Sequence, residues 1–460
     1  MIKKSVKQIC EMISNASFDH TYANQVIEGV SINTKEVEPG NLFIPLKGEK
    51  RDGHEFVLEA FKQGASASFW QKDVPNPPQN LPIIFVEDTL KALQQLAGGY
   101  RDQLRTKVVA VTGSNGKTTT KDILAGLLSV NYKVQKTQGN FNNHIGLPLT
   151  ILSLKEDTEV AVLEMGMSNY GEIELLTNLA KPDAAIITNI GDAHLQDLGS
   201  REGIAKAKLE IISGLKENGL FVYPGDEQLI REQLISITKP MKIKTFGKSA
   251  SNDFYSKQID FNGTGTAFKT NVTDLTFHMP ILGEYNVMNA LAAMIVANNF
   301  GIPFEAMNNA FAQIKLTEMR MEILRGINGS QILNDAYNAS PTSVKAVIDL
   351  VTNLSGFLTK IVVLGDMLEL GPKEKEFHFE IGEYLDPENI QYVFTYGKLG
   401  TFIAKGARTN FGQDHVFNFH DKKELIEQLK PYLNKDTFVL VKASRGMKLE
   451  EVVEAIKEEI

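Results

Sequence analysis

Residues 108–128 read VVAVTGSNGKTTTKDILAGLL, and this stretch decides the fold. The first four residues are an unbroken apolar run of the length expected for a fully buried strand. A loop of small and polar residues follows, from Thr112 through Gly113, Ser114, Asn115 and Gly116 to Lys117, Thr118 and Thr119. Ile123, Leu124, Leu127 and Leu128 then recur at helical spacing. Glycines at 113 and 116 let successive backbone N–H groups turn toward an anion, and the start of a helix adds its partial positive charge. Lys117 is long enough to reach the outer phosphates of a nucleotide, and the Thr118 hydroxyl suits Mg²⁺. The general P-loop pattern has a glycine five positions before Gly116, where this chain has Val111.

Outward from this loop, VAVL (160–163) and AAII (184–187) are two more buried runs, each followed by a polar loop and a helical pattern. That alternation predicts a parallel sheet with crossover helices. Ligands of such sheets bind beyond the carboxyl ends of the strands. Glu164 closes the first of these runs, and Asn189, Asp192 and His194 follow the second, so all are expected beside the phosphate loop. A carboxylate and the Thr118 hydroxyl make an oxygen donor set for Mg²⁺. Taken alone, His194 reads as a hydrogen-bonded structural histidine, while its place at a strand end favours a role on the nucleotide and metal. In GIAKAKLEI (203–211), Lys206 and Lys208 both read as a solvated helix face, and spacing does not choose between them.

The chain has 460 residues, which predicts three domains, drawn here at 1–105, 106–315 and 316–460. In the first, Val6, Ile9, Met12 and Ile13 mark a helix within 4–14, and 42–46 and 83–86 read as strands, with a proline-rich extended stretch at 73–82. In the last, 361–364, 392–396 and 438–441 are buried-strand candidates, and a helical pattern ends the chain. The expected fold class is α/β, with a central P-loop parallel sheet and a Rossmann-like α/β C-terminal domain. With 48 basic and 56 acidic residues the net charge is −8, which argues against a protein that coats nucleic acid. An apolar content of 43% argues against a disordered chain. The single cysteine, Cys10, excludes an intramolecular disulfide and favours a reducing compartment. With no apolar run near the ~20 residues a membrane span needs, and no signal-peptide pattern, the expectation is a soluble cytoplasmic protein.

Longer segments carry a resemblance. TGSNGKTTT (112–120), GNFNNHIGLPLTIL (139–152), EMGMSNYGEIELL (164–176), NIGDAHLQDLGSREGIAKAKLEI (189–211), NDAYNASP (334–341), VLGDMLELG (363–371) and VLVKASRGMKLEEVV (439–453) resemble the Mur ligase family of bacterial cell-wall synthesis. The family's phosphate loop also lacks the early glycine. The combination of EMGM, NDAYNASP and GDMLELG is similar to the members that add D-Ala-D-Ala to UDP-MurNAc-tripeptide. The resemblance implies an ATP- and Mg²⁺-dependent ligase, monomeric and without a nucleic-acid partner. It implies that Gly113, Ser114, Asn115, Gly116, Lys117, Thr118 and Thr119 cradle ATP, with Lys117 on its β- and γ-phosphates. Thr118 and Glu164 would hold one Mg²⁺ and His194 a second, and Lys208 would carry a carbamate. Asn286 and Asn289 would frame adenine, Arg320 would reach the γ-phosphate and Asp335 the ribose. Tyr337, Asn338, Asn140 and Asn143 would line the substrate side, and Thr34 and Lys35 would contact UDP. Two motifs differ from the family's usual form: Asn33-Thr34-Lys35 replaces Asp-Ser-Arg, and Tyr285 stands where histidine is frequent. Two other readings share the loop: a different Mur or folylpolyglutamate-type ligase, and a P-loop ATPase or kinase acting as a switch.

Overall fold

The computed structural model of the chain describes residues 1–48, 51–192, 195–262 and 265–458. Among the described residues the strands form sheets of two, five, nine and six strands, set in three α/β domains. The first domain holds the two-stranded ribbon and a five-stranded sheet in the order Ser17–Phe18, Ile83–Val86, Ala67–Gln71, Leu42–Phe43, Val30–Ser31. The strand expected over 42–46 is only Leu42–Phe43, with one further ladder bond from the Ile44 N–H to the Ser31 carbonyl. Pro45 has no N–H to continue it. The helix expected within 4–14 is Val6–Glu11, closed at its start by a Ser5–Gln8 capping box.

The nine-stranded sheet positions the phosphate loop. Lys107–Thr112 lies inside it, paired in parallel with Val160–Glu164 on one side and Ala184–Ile187 on the other. Side chains of this strand alternate between two cores: Val108 and Ala110 pack into one face, Val109 and Val111 into the other. Burial on both faces is why the run reads as continuously apolar. The sheet continues in parallel through Leu220–Pro224, Lys242–Gly247 and Phe254–Asn262. It then turns antiparallel through Gly265–Thr270 and Thr276–Met279. The expectation of a parallel sheet therefore holds for the half that carries the site, and an antiparallel extension closes the far edge.

The C-terminal domain repeats the style. Its six strands run in the order Glu322–Arg325, Gln331–Asp335, Thr437–Lys442, Thr359–Gly365, Tyr392–Tyr396, Val416–Phe419, all parallel but the first pair. One apolar core runs from the phosphate-loop helix across to Leu333, Val344 and Leu364 of this domain, so the two packed domains share buried contacts. Among the described residues no helix is long and apolar enough to cross a membrane.

Candidate active site

The loop from Thr112 to Thr119 turns on two glycines. Gly113 has φ +150°, and a Cβ there would stand 1.8 Å from Thr188 Oγ1. Gly116 has φ +77° and caps the helix Lys117–Leu128, where a Cβ would meet Asn289 Oδ1 at 2.5 Å. Among the described residues no side chain caps this helix, which leaves the N–H groups of its first turn facing the loop. Its apolar face is fixed by Ile123, Leu124, Leu127 and Leu128, all fully buried. Each stabilises the position by about 1.5–3 kcal/mol, so the anion-binding end rests on a rigid body.

The next strand ends hold the loop's shape. Asn115 donates its backbone N–H to Asn189 Oδ1 at 2.9 Å, and its carbonyl accepts from Asn189 Nδ2 at 3.0 Å and Thr188 Oγ1 at 2.5 Å. Gly191 donates to Ser114 Oγ at 2.9 Å. Lys117 folds back over the loop, its Nζ donating to the Gly113 and Ser114 carbonyls at 2.8 and 3.2 Å. Burial pulls its ammonium below the usual lysine range; Glu164 partly restores it, and Arg320 opposes it.

Thr118 donates its hydroxyl to Glu164 Oε2 at 2.9 Å, and Asn142 Nδ2 donates to Glu164 Oε1 at 2.8 Å. Both carboxylate oxygens therefore have partners at the buried end of the loop. One hydroxyl and one carboxylate form a small, hard oxygen set of the kind Mg²⁺ takes when phosphates and water complete its shell. Among the described residues no group of three His, Cys, Asp or Glu side chains gathers into a metal cage. His194 lies outside the described residues.

The two lysines that spacing left equivalent are separated by the fold. Lys206 is exposed above the Tyr170 ring. Lys208 is only 1% exposed, which corrects the expectation of a solvated face. Among the described residues its amine has no hydrogen-bond or ion-pair partner. Burial, and then repulsion from Lys117, hold its ammonium well below the usual lysine range. Disfavouring the ammonium favours the neutral amine, which is the form that adds CO₂, so the position fits a carbamate.

A cavity of about 270 Å³ opens from the loop toward the C-terminal domain. Ser114 to Thr119, Asn189, Tyr285, Asn286 and Asn289 line one side; Arg320, Met321, Asp335, Asn338 and Lys442 line the other. Asn286 and Asn289 are buried and joined, Asn289 Nδ2 donating to Asn286 Oδ1 at 3.0 Å. The Arg320 guanidinium stacks 4.0 Å from the Tyr337 ring, and among the described residues its buried Nε has no hydrogen-bond partner. Asp335 pairs with the buried ammonium of Lys442, which also donates to the Asn338 carbonyl at 3.0 Å.

Other expected site residues stand elsewhere. Asn140 and Asn143 are exposed, and Asn143 Oδ1 accepts from the Ile145 and Gly146 N–H groups at the start of the helix Gly146–Ser153. It is Asn142 between them that reaches Glu164. Thr34 and Lys35 lie on a one-turn helix capped by Asn33. They flank a second cavity, of about 500 Å³, between the first and central domains, which Asn33, Glu36, Lys136, Gln138 and Phe141 help to line. Sequence reasoning passed over Asn142, Lys442 and Met321. Asn142 sat among three asparagines with no periodicity to single it out, and Lys442 ended an apolar run that read as plain core.

A P-loop sheet whose nucleotide cavity is closed by a second α/β domain, with a third domain on its other flank, defines a three-domain ATP-dependent ligase. Models of the Mur ligase family, catalytic domain, the Mur ligase middle domain and the Mur ligase, glutamate ligase domain match residues 26–101, 111–297 and 319–445. The chain belongs to the Mur ligase family. It is 52% identical to the UDP-N-acetylmuramoyl-tripeptide–D-alanyl-D-alanine ligase of Bacillus subtilis (strain 168), over 100% of this chain and 99% of that protein. It is 33% identical to the ligase of the same name from Escherichia coli (strain K12), again over 100% and 99%. Among solved structures it resembles MurF from Acinetobacter baumannii (TM-score 0.87, 28% identity, 99% of this chain and 98% of that one). It also resembles the MurF ligase of Thermotoga maritima in complex with ADP (TM-score 0.82, 32% identity, 93% and 96%).

Proposed function

We propose that this chain joins D-alanyl-D-alanine to UDP-N-acetylmuramoyl-tripeptide, with ATP becoming ADP and phosphate, in cytoplasmic synthesis of peptidoglycan precursors. The observation that carries the reading is the cavity in which the phosphate loop, Arg320 and Asp335 meet across two domains, with Glu164 bonded to Thr118 of that loop. Residues 1–105 would bind the UDP-sugar, 106–315 ATP, and 316–460 would close over both and receive the dipeptide.

A carboxylate is a poor electrophile and must first be activated. An oxygen of the tripeptide carboxylate attacks the γ-phosphorus; that O–P bond forms while the bond to the β–γ bridging oxygen breaks and ADP leaves. The neutral dipeptide amine then attacks the acyl phosphate carbon, the C–N bond forms, phosphate departs and the nitrogen gives up its proton. Two anions must approach each other in the first step. Lys117 and Arg320 reduce that repulsion and stabilise charge on the transferring phosphoryl group. The loop N–H groups hold the phosphates, Asn286 and Asn289 border the adenine, and Asp335 faces the ribose. Thr118 and Glu164 would hold Mg²⁺, with His194 and a carbamylated Lys208 as further ligands. Bound there, Mg²⁺ supplies charge neutralisation for the phosphates. Thr34 and Lys35, beside the second cavity, are assigned to UDP, and Tyr337, Asn338, Asn140 and Asn143 to the acceptor side. Domain closure keeps water from the acyl phosphate.

The test is product identification. Incubation with ATP, Mg²⁺, UDP-N-acetylmuramoyl-tripeptide and D-Ala-D-Ala yields, by mass spectrometry, the UDP-pentapeptide. Unchanged tripeptide, or transfer of a single amino acid instead of the dipeptide, contradicts the reading.

A further inference from the structure

The helix behind the phosphate loop carries a buried charge cluster that the mechanism above does not use. Asp122 is 2% exposed, and Lys121 beside it 1%. Asp122 Oδ1 pairs with Lys136 at 2.6 Å and stands 3.5 Å from Lys121. Lys121 in turn stands 3.9 Å from Glu164 Oε2. The second oxygen of Asp122 is committed elsewhere: Oδ2 accepts both the backbone N–H and the hydroxyl of Thr317, each at 2.8 Å. These partners are 195 residues apart in sequence.

Thr317 lies in the segment that joins the two domains. The chain leaves the helix Phe304–Phe311 and enters the strand Glu322–Arg325 with no regular structure between. Arg320 sits three residues after Thr317, between Met319 and Met321, which both take left-handed backbone, at φ +59° and +52°. Unbranched non-glycine residues hold that conformation only where the surroundings fix them. Downstream, the fixing bonds are Met319 N–H to Glu322 and Met321 N–H to Asp335, each at 3.2 Å. Upstream, the fixing bonds are those from Thr317 to Asp122.

We propose that Asp122 is a positioning residue for the ligation: by anchoring the interdomain segment at Thr317 to the phosphate-loop helix, it sets where Arg320 stands over the phosphates. Lys136 neutralises the anchor from the edge of the second cavity, and Lys121 ties it to Glu164, so one cluster touches the linker, Glu164 and the second cavity. The proposal rests on the ligase reading above, because its readout is ligation.

Asp122→Asn leaves buried Lys121 and half-buried Lys136 short of a counter-charge and lowers folding yield. Half-buried Thr317 gives the cleaner test. Thr317→Ala lowers kcat about tenfold, since small misplacements of a charge-stabilising group cost rate, while KM for the tripeptide and dipeptide stays within about twofold. Thr317→Ser, which keeps the hydroxyl, returns kcat to within about twofold of the parent. In an Arg320→Lys background, Thr317→Ala costs less than about twofold, because the group it positions is already lost. Wild-type kcat in Thr317→Ala, or the same tenfold loss in both backgrounds, overturns the proposal. A parent enzyme that does not ligate at all overturns the functional reading instead.

Discussion

Lys208 is a fully enclosed amine, and the charged form is the one its surroundings disfavour. Lys208→Ala is expected to abolish ligation nearly completely, with partial recovery on adding a small carboxylic acid such as propionate; full activity would show that no carbamate forms there. Lys208→Met separates function from stability. The lysine's folded pKa lies below its unfolded value, so between the two the unfolded chain binds more protons and wild-type stability rises with pH. In CO₂-free buffer the Met variant should therefore melt above the parent by a margin that is widest on the acid side and shrinks as the pH rises toward the ordinary lysine value. A constant margin would mean the amine is not titrating between the two states. Gly116 makes a second residue-scale case. At φ +77°, Gly116→Ala costs about 1–2 kcal/mol in backbone strain before its clash with Asn289 is counted. Calorimetry should find a lower melting temperature and weaker ATP binding, and an unchanged ATP affinity would contradict the geometry. That Lys117, Thr118 and Glu164 come together at the loop could be read from residue type and strand-end position. The burial of Lys208 could not, because a short helix with lysines two residues apart does not say which of them faces inward.

At the scale of elements, the apolar runs at 108–111, 160–163 and 184–187 were legible because strands covered on both faces have no polar residues to break them. The strands of the far edge, Phe254–Asn262, Gly265–Thr270 and Thr276–Met279, were not. Their sequences mix charges with aromatics, and their order in the sheet depends on tertiary packing. That packing is concrete: Phe268, Phe277 and Phe311 meet with ring centroids 5.3–5.8 Å apart, joining the extension to the helix Phe304–Phe311. Phe277→Ala should cost about 3–5 kcal/mol in urea unfolding, as expected for emptying a buried aromatic site. A loss below about 1 kcal/mol would show that the cluster is not what holds the extension. The same helix leads into the segment anchored by Asp122, so the extension also supports the approach to Arg320.

For the whole molecule, the net charge of −8 gave no hint of polyanionic substrates. The structure resolves the difference locally: Lys117, Arg320 and Lys442 converge on one cavity, and the acidic surplus lies elsewhere. A three-domain plan was legible from length and from the change of strand sets. That the central and C-terminal domains share a core, and that Asp192 accepts a hydrogen bond from Thr342 across their interface at 2.8 Å, was not, because contacts between distant segments leave no local pattern. The central claim is that ATP is consumed to join two particular substrates. Phosphate release measured with each substrate omitted in turn tests it directly, using tripeptides ending in lysine and in diaminopimelate. One phosphate per amide bond is expected, with only background release without UDP-N-acetylmuramoyl-tripeptide or without D-Ala-D-Ala. Steady release that ignores both substrates would contradict it.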